Sequence, residues 1–499
     1  MSDRLSFLLT ISILAIATLI IYSQVVGHAF VWDTNHIFSN EALRSFSFDN
    51  VFWMLSHPII GNWHPLTWLS HMADYSVFGD AAGYHHLVNV AIHLANSILV
   101  FFLIRQLCQW RLVGSAAAIA LASALVFAVH PLRVESVAWV AARKDLLYAL
   151  FFLVSIGFYV RYRKGERYAY IISIGAFVAA LLSKSMAVTL PAVLLILDLY
   201  LSQENSFKQK IIDTLKHRLV EKLPYLLFSI GIAAVTLVTQ SESIGEDKLT
   251  LIQQSKIAAH NLLFYIEKLV LPLNLSPFYP FPLMEIVNST SFWLPGAAFF
   301  IGTTFVTTVL AFRSAPLPFI CWSIYLVSLL PASGIVHVGS AVSADRYTYL
   351  PNLSITVGLI VGIASLIRRT PATRPFVIGL TCFWLIGLTA LSYQQVKFWS
   401  SPLSMWTHVL RVNPDTAIAH RNISTAYYRQ GQYTLALEHL EYLSHQGWPV
   451  ERELTAIYLA IGDCNSASGA FDLIRPTGPE DAADLKQVRE TIEACNTKH

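Results

Sequence analysis

Apolar stretches long enough to cross a bilayer recur along the chain as far as residue 394, and no other feature limits the fold as much. They fall near 5–26, 86–104, 114–130, 146–160, 168–182, 186–201, 223–239, 291–312, 317–332, 352–367 and 375–394. Composition agrees. Of 499 residues, 55% are hydrophobic and 13% charged, with a mean hydropathy of +0.53. Soluble domains carry about 25% charged residues, so most of this chain must face lipid or other apolar helices. The expected fold class is all-α, a polytopic membrane protein of about eleven transmembrane helices. The first stretch follows Arg4 and has no small-residue cleavage site after it, so it reads as a retained span and not a signal peptide.

Orientation follows from short basic connections. Arg105 with Arg111, then Arg161 to Arg167, Lys208 to Lys222, Arg313, and Arg368 to Arg374 mark loops on one side, taken as cytoplasmic. The segment 27–85, with Arg44 as its one Lys or Arg, then lies outside. Residues 256–273 are apolar overall but contain Lys256, His260, Asn261, Glu267 and Lys268. If they spanned, every later loop would flip. They read instead as an amphipathic helix in the outer interface, which puts the N-terminus inside and the C-terminus outside. The net charge of +3, held in short clusters, gives no nucleic-acid surface.

Beyond Tyr393 the chain turns polar. The expected division is a membrane domain over 1–397 and a periplasmic helical domain over 398–499. In NPDTAIAHRNISTAYYRQGQYTLALEHLEYL (413–443), Ala417, Tyr427, Gly431, Tyr433 and Ala436 fall at the small and aromatic positions of a tetratricopeptide (TPR) repeat. Helices over 451–461, 464–474 and 480–495 would stack on it, since one repeat cannot bury its face alone. Cys464 and Cys495 are the two cysteines of this domain. Antiparallel packing would allow a disulfide, and two unpaired thiols are an equal alternative. No CxxC or Cys/His spacing points to zinc or redox chemistry.

Charged residues in the outer segments are the candidates for chemistry. PLRVESVAWVAARKD (131–145) carries Arg133, Glu135, Arg143, Lys144 and Asp145. Arg143 and Lys144 beside Asp145 form a mixed-charge site able to grip a phosphate, or an ion-paired loop that only ties two helices. Lys184, between two apolar spans, must snorkel or contact a lipid-linked phosphate. Asp33, just past the first span, is placed as a general base on an acceptor hydroxyl, although an ordinary interfacial Asp reads the same way. Asp345 and Arg346 in ADRYTYLP are placed to pair with each other. His57, His64 and His71 recur every seven residues, with His85, His86 and His93 following, but no carboxylate or cysteine completes a metal set. No cofactor is expected, and the metal requirement stays open.

FVWDTNHIFSN, NWHPLTWLSHMADYSVFGDAAGYHHLVNVAIHLAN (62–96), HPLRVESVAWVAARKDLLYALFF (130–152), LLSKSMAVTLPAVLLILD (181–198) and SADRYTYLP (343–351) occur in that order. Together they resemble the membrane-and-tetratricopeptide-repeat O-mannosyltransferases and their bacterial relatives, within the GT-C glycosyltransferase superfamily. The resemblance covers the whole chain. It implies an inverting glycosyltransferase that takes a sugar from a polyprenyl-phosphate carrier and gives it to an acceptor hydroxyl, on protein Ser/Thr or on glycan, at the outer face. It implies Asp33 as the base, with Thr34 standing where the family has a second acid. Glu135, Arg143 and Asp145 match the second-loop motif, and the two acids join Asp33 as the expected catalytic residues. Lys184 matches a Lys-Glu pair whose Glu is here Ser185, and Arg346 matches an arginine near the carrier phosphate. Arg133, Lys144 and Asp345 complete the expected substrate-binding set.

A non-catalytic membrane scaffold that recruits protein partners through the repeat domain is the alternative, favoured by Thr34. The charged outer loops count against it. A transporter would want ionisable residues at mid-membrane depth, whereas here they gather at one face. The compact loops and the absence of a retention signal favour a bacterial inner membrane over a eukaryotic one.

Overall fold

The computed structural model describes residues 3–111, 115–239, 249–335, 341–476 and 479–497. The chain divides into two compact units, Met1–Ser400 and Ser401–His499.

The first unit is helical throughout, apart from one two-stranded ribbon among the described residues. Among the described residues seven helices are long and apolar enough to cross a membrane: Phe7–Gly27, Ala82–Trp110, Val140–Arg163, Val220–Thr239, Thr290–Phe312, Pro351–Arg369 and Pro371–Phe398. An eighth candidate is broken, Ala116–Val129 meeting Pro131–Ala138 at 60°. The break has a local cause. His130 precedes Pro131, and the proline ring drives the residue before it out of the helical region, here to φ −74 and ψ 132. Three shorter apolar helices, Tyr168–Ser183, Ser185–Leu201 and Leu317–Ala332, take the remaining windows. Among the described residues all eleven windows are therefore helical, but seven or eight helices, not eleven, have spanning length. At about 1.5 Å per residue, a helix of sixteen to seventeen residues reaches roughly 25 Å, short of a hydrocarbon core of about 30 Å. The first two of these helices are short because the chain extends at Lys184, with φ −160 and ψ 133, and so interrupts what would be one hairpin arm.

The 131–145 segment is no surface loop. Every residue from Pro131 to Arg143 is buried. The helix Leu251–Val270 buries Ile257, Asn261, Tyr265 and Leu269, one face spaced by four. It packs on Thr290–Phe312, where a side-chain carbon on Gly296 would collide with the Ala259 carbonyl. Asn261 ties it to the Ser333 and Val342 carbonyls at 3.0 and 2.9 Å. Beyond it, Tyr279–Pro280 pairs antiparallel with Ala341–Ser343, Tyr279 opposite Ser343. This ribbon sets Phe278 and Tyr279 beside the turn Asp345–Thr348.

Among the described residues the second unit has six helices, Pro402–Val412, Ala417–Arg429, Tyr433–His445, Glu451–Ile461, Cys464–Phe471 and Pro479–Asn496, each packed on the next in sequence. Ala436, Leu440, Leu443, Val450, Leu454 and Ile457 form one core, and Ala467, Phe471 and Ile492 a second. Gly462 closes the Glu451–Ile461 helix at φ +87, a left-handed cap that favours glycine. Cys464 and Cys495 are joined in a disulfide, with Cα atoms 5.7 Å apart. This decides between the two readings left open by the sequence.

Candidate active site

A cleft of about 560 Å³ opens in the first unit where the Asp33–Ser39 helix, the start of the Arg143–Arg163 helix, the break at Lys184 and the Asp345–Thr348 turn meet. Asp33, Lys144, Lys184 and Arg346 line it, together with Trp32, Trp139, Phe278 and Tyr347. Among the described lining residues, Asp33 is the one carboxylate, set against three cations.

Two of those cations are anchored from behind by buried acids. Lys184 Nζ donates to Asp145 Oδ1 at 2.5 Å, and Asp145 is 1% exposed. Asp145 also sits in the first turn of its helix, where the helix dipole favours negative charge. Arg346 pairs with Glu135 through its guanidinium, and its backbone N–H donates to Glu135 Oε2 at 2.8 Å. Both acids are expected from the sequence to be catalytic, but neither lines the cleft; each fixes a cation whose remaining donors stay free for a ligand. Lys144 makes no ion pair among the described residues. The aromatic groups hold this array in place. The Arg346 guanidinium lies 5.3 Å from the Trp139 ring centroid and 4.9 Å from that of Tyr347, and Lys184 Nζ lies 5.5 Å from the latter. Trp139 stacks on Trp32 at 4.8 Å and on Trp399 at 6.0 Å.

Asp33 is positioned by strained backbone. Trp32 precedes it at φ +52 and ψ −131, a conformation that a bulky side chain adopts only when its surroundings impose it. The stack on Trp139 supplies that restraint. Thr34, in the place of a second acid, is buried, and its hydroxyl has no partner. Ser185 lines the cleft.

Three predicted residues lie elsewhere. Arg143 is fully buried and pairs with Asp74 at 2.5 Å, bonding also to Asn89 Oδ1 at 2.8 Å, Ser70 Oγ at 3.1 Å and the His85 carbonyl at 3.0 Å. It is adjacent to Lys144 on the helix, so it points about 100° away and ties the Pro65–Phe78 helix to Ala82–Trp110 instead of gripping a phosphate. Arg133, 1% exposed, donates to the Thr348 carbonyl at 2.7 Å and lies between the Phe127 and Tyr349 rings. Asp345 does not pair with Arg346. It accepts from the Tyr279 hydroxyl at 2.9 Å, and burial, then the Glu135 carboxylate, push its carboxyl well above the usual range. Adjacent residues in this tight turn diverge, which leaves Arg346 to Glu135.

The seven-residue histidine spacing gathers no ligands. His57 is exposed and stacks on Trp53 at 4.8 Å, while His64 and His71 are buried. No group of three ligating side chains forms among the described residues. Sequence reasoning passed over the aromatic wall, although Trp32, Trp139 and Tyr347 all lie inside the motifs that carried it. An aromatic next to a charged residue was the available signal for Trp32, beside Asp33, and Tyr347, beside Arg346; Trp139, between Ala138 and Val140, carried none.

No family model matches the chain. Among curated proteins, the protein O-mannosyl-transferase F38B6.6 of Caenorhabditis elegans is 24% identical over 380 residues, 72% of this chain and 50% of that protein. Human protein O-mannosyl-transferase TMTC4 is 24% identical over 431 residues, 76% of this chain and 57% of its own length. Xenopus laevis protein O-mannosyl-transferase tmtc2 reaches 30% over 229 residues, 43% of this chain and 26% of that protein. The matched stretch thus spans from about a quarter to little more than half of these relatives' length. Weak in identity but consistent with one another, and with the motifs that line the cleft, the curated homologues of this chain are protein O-mannosyl-transferases of the TMTC family.

Proposed function

We propose that the first unit is an inverting glycosyltransferase that moves a sugar, mannose by analogy with the relatives, from a polyprenyl-phosphate carrier to an acceptor hydroxyl. The observation that carries this reading is a single carboxylate sharing one aromatic-walled cleft with three cations. Asp33 accepts the proton of the acceptor hydroxyl as its oxygen bonds to the anomeric carbon. The bond from that carbon to the carrier phosphate breaks, and the electron pair leaves with the phosphate. Lys144, Lys184 and Arg346 stabilise the charge that develops there, so no general acid is needed. Asp145 and Glu135 hold two of these cations in place. The aromatic wall offers ring faces to the sugar.

The cleft and the second unit are assigned to the outer face of a bacterial cytoplasmic membrane, with the N-terminus inside. The basic connections support this, and so does the Cys464–Cys495 disulfide, because such bonds persist in oxidising compartments. The second unit is read as a TPR-like domain that engages protein partners. The direct test supplies purified protein with polyprenyl-phosphate [³H]mannose and a Ser/Thr-containing acceptor. Label should appear on the acceptor. Carrier consumption without labelled acceptor would replace transfer by hydrolysis, and no consumption by folded protein would overturn the reading in favour of a scaffold.

A further inference from the structure

The Ala82–Trp110 helix begins beside the cleft region, where Asn89 bonds Arg143, and ends about 30 Å further along at Trp110. A second polar cavity of about 430 Å³ lies at this remote end. Two cations meet there on one carbonyl. Arg111 Nη2 donates to Ser202 O at 2.8 Å, and Lys210 Nζ, on the Phe207–His217 helix, donates to the same oxygen at 2.7 Å. Lys210 is 5% exposed. Neither cation forms an ion pair among the described residues. Glu204 also lines the cavity, and Asp213 accepts from Ser202 Oγ at 3.2 Å, so acids are near but are not bonded to either cation. A nearly buried ammonium satisfied by one neutral carbonyl is incompletely compensated, and it keeps two donors unused.

This cavity shares Arg111, Tyr200 and Leu317 with an apolar channel of about 290 Å³. Leu103, Ile156, Leu197, Ile320 and Val361 are among the channel's walls. Cations at the mouth and hydrocarbon behind it complement an amphiphile with an anionic head. We propose that this end of the bundle binds a phosphate-headed lipid, its phosphate on Lys210 and Arg111 and an acyl chain in the channel. The site shares no residue with the transferase cleft and does not depend on the reading given to that cleft.

The test is native mass spectrometry of the full chain in detergent, titrated with phosphatidylglycerol or phosphatidylcholine of matched chains. The wild type should retain phosphatidylglycerol about tenfold better than phosphatidylcholine. Lys210→Gln should remove the preference. Arg111 is left intact because its carbonyl bonds also hold the end of the Leu190–Leu201 helix. Val361→Trp should exclude both lipids by filling the channel, and Ile324→Phe, at another wall residue, replaces it should that variant not accumulate. Equal retention of the two lipids by the wild type, or a preference that survives Lys210→Gln, would overturn the proposal. So would displacement of the lipid by inorganic phosphate alone, which would assign the site to a free anion.

Discussion

Replacing Asp33 by Asn keeps the side chain's shape and removes its proton acceptor, so it separates chemistry from binding. Transfer should fall by about 100-fold or more while carrier binding stays near that of the wild type. Activity within a few-fold of the wild type would remove Asp33 from the base role. Lys144→Gln tests the opposite side of the cleft. This cation has no acid partner to be stranded, so its loss should lower kcat/KM for the carrier by about 100-fold without a loss of stability. Arg143→Met, one position earlier, should do the reverse. It leaves Asp74 without its buried partner and costs about 3–5 kcal/mol of stability, read as a lowered melting temperature. Equal behaviour of the two variants would refute the division. That division was not legible in the sequence. The chemistry of Arg143, Lys144 and Asp145 can be read from residue type, but their directions depend on partners 39 to 73 positions away, Lys184 and Ser70 among them. Nothing local encodes such distances.

At the level of elements, apolar length made every window legible as a helix, because a span must satisfy its backbone within itself. Window length did not reveal where a helix stops short of the membrane or bends. Those breaks occur at Lys184, which lines the cleft, and at Pro131, which opens the segment carrying Glu135 and Trp139. The Pro65–Phe78 helix escaped notice because its polar residues face inward. His64 caps its start, and His71 lies fully buried with neither ring nitrogen bonded. Burial, then Lys144 and Lys184 for His64, and burial, then Arg143 for His71, hold both imidazoles well below the ordinary value near 6.5. Because the folded values are depressed, these histidines stabilise the fold fully above about pH 6.5, and the contribution is lost as pH falls below it. Each should remove about 1.4 kcal/mol per pH unit on the way down. Protection factors over residues 64–78, taken against the intrinsic exchange rate at each pH, should therefore fall between pH 6.5 and 5, detectably before those of the spanning helices. Protection that stays constant across that interval would show that another group controls the docking of this helix.

For the whole molecule, the division into two units turns a thiol count into a statement about where the chain resides. Cys108 and Cys321 are buried in the membrane unit, Cys382 is exposed, and Cys464 and Cys495 are bridged across 31 positions in the second unit. The cores of that unit are small, Ala467, Phe471 and Ile492 making up the one nearest the bridge. Closing a loop of this length contributes on the order of 3 kcal/mol, chiefly by restricting the unfolded chain, which is a large share of what so small a core supplies. Protein isolated with its thiols alkylated at lysis, then denatured without reductant, should present three reactive thiols, and five after reduction. Cys495→Ser should leave four whether or not reductant is added, and should lower the melting transition of residues 401–499 by several degrees. Five thiols before reduction would remove the bridge. They would also withdraw the strongest support for placing this unit in an oxidising compartment, leaving the basic connections between spans to fix the orientation alone.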